Sequence, residues 1–171
     1  MDTSIITNRE LFLILQKSTF FFDKLVDNAL KKETDISLAQ FDVLMAIFMS
    51  GLTTQQEIST MLHNTQASVS RQVSILLNKD YITRTQNPNN RREFKLKSTQ
   101  SGNTLVKKAT KILDQKFKEV FAIVSEKDKE KVSDVLNTII QGSGKNHSTL
   151  RESATEIQKI RECIREGLKK L

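Results

Sequence analysis

The chain has 171 residues, 37% hydrophobic and 27% charged, with one proline and five glycines. This is enough apolar material for one packed domain plus an appendage, and it excludes a disordered chain and a sheet-rich fold dense in tight turns. A formal charge of +7 points to a polyanionic partner, and the single cysteine, Cys163, excludes an internal disulfide.

A reducing, cytoplasmic setting fits that cysteine usage. The first ten residues show no basic region followed by an apolar run, so no secretory leader is expected. No apolar stretch approaches the roughly 18 residues that a membrane-spanning helix needs.

In chain order, Leu11, Leu15, Phe22, Leu25, Val26 and Ala29 recur at helical spacing and predict a helix over residues 8–32. Phe20, Phe21 and Phe22 stand in a row, so they cannot all face one core, and some are expected to meet a second surface. Ser37 is the expected N-cap of a second helix carrying Phe41, Leu44, Met45 and Phe48, with Gly51 as its stop. Thr53 with Gln56, and Thr54 with Glu57, both have capping-box spacing ahead of a short helix with Ile58, Met61 and Leu62. Another helix is predicted over 66–78, with Val69, Val73, Leu76 and Leu77 inward. Two short helices joined by a tight turn form a candidate helix-turn-helix.

Residues 81–85 and 93–97 alternate like strands, and Asn87-Pro88-Asn89-Asn90 is a turn signal, so a β-hairpin is expected. Ser98 or Thr99 would cap a long helix carrying Leu105, Ala109, Ile112, Leu113, Phe117, Val120, Phe121 and Val124. Ser125 with Asp128 would start another, with Val132, Val135, Leu136, Ile139 and Ile140. Residues 141–147 read as a linker, and a last helix is expected over 148–171. The fold class is mainly α with a small β-hairpin wing: a winged helix-turn-helix flanked by N- and C-terminal helices.

Charge singles out residues 53–97. Arg71, Lys79, Arg84, Arg91, Arg92, Lys95 and Lys97 outweigh Glu57, Asp80 and Glu93, leaving +4 of the chain's +7 in this segment. An α-helix fits the major groove, where each base pair presents a distinct donor and acceptor pattern. The start of the 66–78 helix offers Thr65, Gln66, Ser68, Ser70 and Arg71, residue types suited to bases and phosphates. The hairpin tip, Asn89-Asn90-Arg91-Arg92, is placed to reach a minor groove. Each piece alone reads as a cap or a solvated surface; their order is what points to duplex DNA.

These pieces resemble the MarR family of regulators. The resemblance is carried by Leu38-x-x-Phe41-x-Val43-Leu44, Thr54-x-x-Glu57-Ile58-Ser59, Ser68-Val69-Ser70-Arg71-x-Val73-x-x-Leu76, Tyr81-Ile82-x-Arg84, Asn87-Pro88-x-Asn90-Arg91-Arg92 and Ser98-Thr99-x-x-Gly102. It covers roughly residues 8–141. It implies a winged-helix domain at 37–98, dimerisation helices at 1–36 and 99–141, and an extra segment at 142–171. It further implies a homodimeric repressor on a pseudo-palindromic operator, released by a small aromatic ligand. On that basis Thr65, Gln66, Ser68, Ser70 and Arg71 belong to a recognition helix. Arg84, Asn89, Asn90, Arg91 and Arg92 belong to a DNA-contacting wing, and Phe22, Phe41 and Phe48 are candidates for a ligand pocket.

Three features depart from the family pattern. The two acids usual in the family's wing are replaced by Asn87 and Asn90, and Asn90, being neutral, is expected to hold a wing arginine more weakly than an aspartate would. Ser98-Thr99 stands where leucine-threonine is usual, with Leu96 two residues earlier. The chain also continues past residue 141.

A redox-sensing role would need a cysteine in the first helix, and Cys163 is read as packing or surface. His63, His147 and Cys163 lack metal-ligand spacing, no phosphate-binding loop occurs, and neither a cofactor nor an enzyme activity is expected. The rival reading is a winged-helix protein-docking module. In that reading the last helix, with Leu150, Ile157, Ile160, Ile164 and Leu171 in a rough 3-4 repeat, binds a partner.

Overall fold

The computed structural model describes residues 6–87 and 90–144. Its elements are α1 (Asn8–Glu33), α2 (Leu38–Ser50), α3 (Gln55–Met61), α4 (Gln66–Asn78), β1 (Ile82–Asn87), β2 (Asn90–Ser98), α5 (Gln100–Phe121) and α6 (Glu126–Gly144). The chain divides between Lys116 and Phe117 into two compact units.

Local chemistry sets most helix ends. Ser37 accepts from the Gln40 N–H while the Gln40 side chain accepts from the Ser37 N–H, which closes a capping box on α2. Gly51 ends that helix at φ 72°, a backbone conformation that favours glycine. Of the two possible boxes before α3, Thr54 with Glu57 is the one formed. Thr53 donates its hydroxyl to the Glu57 carboxylate and bridges its backbone to Leu96 in both directions, at 3.1 and 2.7 Å. The three hydrogen bonds from Thr53 and Thr54 hold the Glu57 carboxyl below its ordinary range.

The core of the first unit gathers Val26 and Leu30 of α1, Phe41, Val43, Leu44 and Ile47 of α2, Ile58 of α3 and Val69, Val73 and Leu76 of α4. Ile36 before α2, Ala46 of α2, Ile82 and Leu96 of the hairpin and Leu105, Val106, Ala109 and Leu113 of α5 complete it. Leu96 is fully buried and packs into the core. On α1, Phe20 and Phe21 are exposed and Phe22 is half-buried, as three neighbours on one helix must be.

β1 and β2 pair antiparallel from Ile82↔Ser98 to Gln86↔Phe94, with an irregularity between Gln86 and Asn87. Both strands run further towards the turn than the 81–85 and 93–97 segments, because Gln86 and Asn87 continue the pairing. Thr99 starts α5: its hydroxyl oxygen accepts from the Gly102 N–H at 3.0 Å, and its O–H donates to the Asp80 carbonyl at 2.8 Å.

In the second unit, Ser125 accepts from the Asp128 N–H and donates to its carboxylate, opening α6. α6 continues to Gly144, into the stretch expected as a linker from residue 141. A glycine costs a helix about 1 kcal/mol relative to alanine without removing its backbone hydrogen bond, so Gly142 does not end it. The expected helix over 148–171, with His147 and Cys163, lies outside the described residues. Among the described residues no helix is long and apolar enough to cross a membrane.

Candidate nucleic-acid interface

α3 and α4 meet through a turn at His63, whose φ of 48° lets the chain reverse within a few residues. α4 then packs on α2, α3 and β1. Its inward residues Val69, Val73 and Leu76 recur at helical spacing and are buried, which fixes the rotation of the helix. The opposite face is thereby turned to solvent. Ser68 and Arg71 are exposed there, together with Ser74 and Asn78, and Gln66 is exposed as the first residue of the helix. Ser70 is half-buried, and its carbonyl accepts the Ser74 hydroxyl at 3.0 Å.

Thr65 is the N-cap of α4, and its hydroxyl oxygen accepts from the Ser68 N–H at 3.2 Å. That bond leaves the Thr65 O–H free to donate outward. Four of the five residues assigned to the recognition helix, Thr65, Gln66, Ser68 and Arg71, thus share its accessible start, and Ser70 turns partly inward.

The far end of α4 is tied down by a residue that sequence reasoning missed. Asp35, between α1 and α2, accepts from Lys79 Nζ at 2.9 Å and from the Tyr81 hydroxyl at 2.9 Å. Lys79 also donates to the Asp35 carbonyl. Burial pushes the Asp35 carboxyl up, but the Lys79 and Tyr81 hydrogen bonds and the Lys79 charge outweigh it and hold it below its ordinary range. Burial, and then the bond to Asp35, raise the Tyr81 hydroxyl. The separation of 44 positions between Asp35 and Lys79 hides this clamp from any local pattern.

On the hairpin, Arg84 is exposed and its guanidinium lies 4.8 Å from the centroid of the Phe94 ring. Asn87 donates from its side-chain amide to the Glu93 carboxylate. Asn89 and the side chains of Asn90, Arg91 and Arg92 lie outside the described residues, so the structure neither joins them to α4 nor separates them from it.

The pocket candidates sit among ordinary core contacts. Phe41 is a buried member of the core and Phe48 packs partly against it. Phe22 is half-buried, with its ring edge-on to Phe21 at 5.7 Å.

A model of the MarR family matches residues 36–94. No curated protein matches the chain. Among solved structures, a putative MarR-like transcription regulator from Bacillus cereus superposes with a TM-score of 0.73 at 21% identity, over 79% of this chain and 96% of that one. Wild-type MarR from E. coli in its apo form gives 0.66 at 22%, over 80% and 98%. An E. coli MarR mutant complexed with operator DNA gives 0.65 at 23%, over 77% and 91%. At these identities the likeness is one of fold. Residues 36–94 are thus similar to the MarR family model, and the chain has the winged helix-turn-helix fold of the solved MarR regulators.

Proposed function

We propose that the chain is a sequence-specific transcription regulator that binds duplex DNA, with α4 as the recognition helix and the β1–β2 hairpin as its wing. The observation that carries this reading is the exposed polar start of α4, Thr65, Gln66, Ser68 and Arg71, on a helix whose rotation the buried Val69, Val73 and Leu76 fix. The MarR relative solved with operator DNA, which shares this fold, supports it. The basic residues of the hairpin add the sequence-independent attraction to phosphates on which such binding depends.

The finer reading is a homodimeric repressor. One recognition helix spans only a few base pairs, and two related by a two-fold axis read half-sites about one helical turn apart. Phe12, Leu13, Ile14, Phe20 and Phe21 of α1 are 45–62% exposed, and Ile123 and the α6 residues Val132, Val135 and Ile139 are also exposed. Apolar surface of this kind marks a partner interface and supports a second subunit. Release by a small aromatic ligand near Phe22, Phe41 and Phe48 belongs to the same reading.

The test is selection of fragmented genomic DNA on the immobilised protein, followed by sequencing. Enrichment of a pseudo-palindrome is the expected result. Uniform recovery of fragments would mean an architectural protein, and no recovery at low salt would favour the docking module. Sedimentation of the free protein tests the dimer, and monomers at micromolar concentration would exclude it.

A further inference from the structure

We propose that Phe94 is a positioning residue for DNA binding: its ring holds the Arg84 guanidinium at the wing surface without neutralising its charge. This rests on the DNA-binding reading and deepens it.

The pairing register places Arg84 opposite Leu96 and Gln86 opposite Phe94, so Arg84 and Phe94 are diagonal neighbours on one face of the hairpin. Leu96, on the same face, is fully buried, whereas Phe94 is 40% exposed. Phe94, in the middle of β2, contributes little to the core at that exposure. It does present a ring face, and the Arg84 guanidinium lies 4.8 Å from its centroid, within the range of a cation–π contact.

The charge arrangement on the hairpin gives this contact its meaning. Glu93 is the only acid between Ile82 and Ser98, and the Asn87 amide engages it. Among the described residues no carboxylate pairs with Arg84. A carboxylate partner would fix the arginine and cancel its charge in the same contact. A ring fixes it through its quadrupole and leaves the full positive charge, with its N–H donors at the guanidinium edge, available to a phosphate.

The test is fluorescence anisotropy with a labelled mixed-sequence duplex at low and moderate salt, using the full chain. The variants are Phe94→Val, Phe94→Tyr, Arg84→Gln and the Phe94→Val/Arg84→Gln pair, each first checked for cooperative melting. Phe94→Met replaces the valine variant if that one fails the check. Phe94→Val is expected to weaken binding about 2- to 5-fold, the factor for an exposed cation–π contact. Its salt slope should fall towards that of Arg84→Gln, and Phe94→Tyr, which keeps the ring, should bind like the wild type. In the Arg84→Gln background the Phe94→Val change should have no further effect. Wild-type binding by Phe94→Val, or the same loss in both backgrounds, would overturn the proposal. Failure of the wild-type chain to bind any duplex would overturn the DNA-binding reading, and this proposal with it.

Discussion

Asn87 donates from its side-chain amide to the carboxylate of Glu93 across the mouth of the wing. An aspartate at position 87 could not do this when ionised, since it has no donor and would face Glu93 as a second anion. Asn87→Asp should loosen the wing and place extra negative charge beside phosphate, costing about 0.2–1 kcal/mol in the pairing alone. Anisotropy should show weaker duplex binding at low salt and a smaller difference at high salt. Equal affinity at all salt concentrations would contradict the pairing.

Gly102 allows the start of α5 to lie against the backbone of Tyr81, just before β1. A Cβ at this position would sit 2.1 Å from the Tyr81 carbonyl oxygen, a backbone atom held by the Thr99 N–H at 3.0 Å. Gly102→Ala should therefore destabilise the fold by about 1–3 kcal/mol, as overpacking does. Urea denaturation checks this, and an unchanged midpoint would mean that α5 can shift freely.

Asp42 of α2 has its carboxyl pushed up to about 6, first by burial and then by the charge of Asp23. The folded state therefore prefers the neutral acid more than the unfolded chain does, whose value is near 3.8. Stability from this group is fully present below about pH 4 and is lost as pH rises towards 6. Asp42→Asn should raise stability at pH 7 by an amount on the order of 1–3 kcal/mol. The gain should vanish below about pH 4, and a pH-independent gain would assign the effect to something other than ionisation.

Asp35 behaves in the opposite sense. Its folded value is lowered, so its contribution is present above the unfolded value and fades as pH falls through the folded one. Its side chain is 53% exposed and that of Lys79 is 31% exposed, so solvent screens the pair. Asp35→Ala should cost only about 1 kcal/mol, seen as a small drop in melting temperature at neutral pH that shrinks in acid.

What was legible in the sequence was local. Ser37 caps α2 as its place ahead of the helix implies, and of the two boxes that spacing offers before α3, Thr54 with Glu57 closes and Thr53 with Gln56 does not. The α4 limits and its buried Val69, Val73 and Leu76 follow from a single helical period. The Asp35 clamp, the Thr53 bridge to Leu96 and the stacking of Arg84 on Phe94 were not legible, because each joins residues that only the folded chain brings together. The end of α6 was misplaced because Gln141-Gly-Ser-Gly has the composition of a linker, while a helix end depends on backbone hydrogen bonds that composition does not report.

The central claim is that the start of α4 reads DNA bases. Its most direct test is fluorescence anisotropy of the wild-type chain and Arg71→Ala, each titrated against a duplex from upstream of the protein's own gene and against a scrambled duplex. The wild type is expected to prefer the upstream duplex, with affinity falling steeply with salt. Arg71→Ala should lose about 1–3 kcal/mol on that duplex and much less on the scrambled one. Equal losses on both would make Arg71 a phosphate contact, and a wild type that binds neither duplex at low salt would contradict the claim.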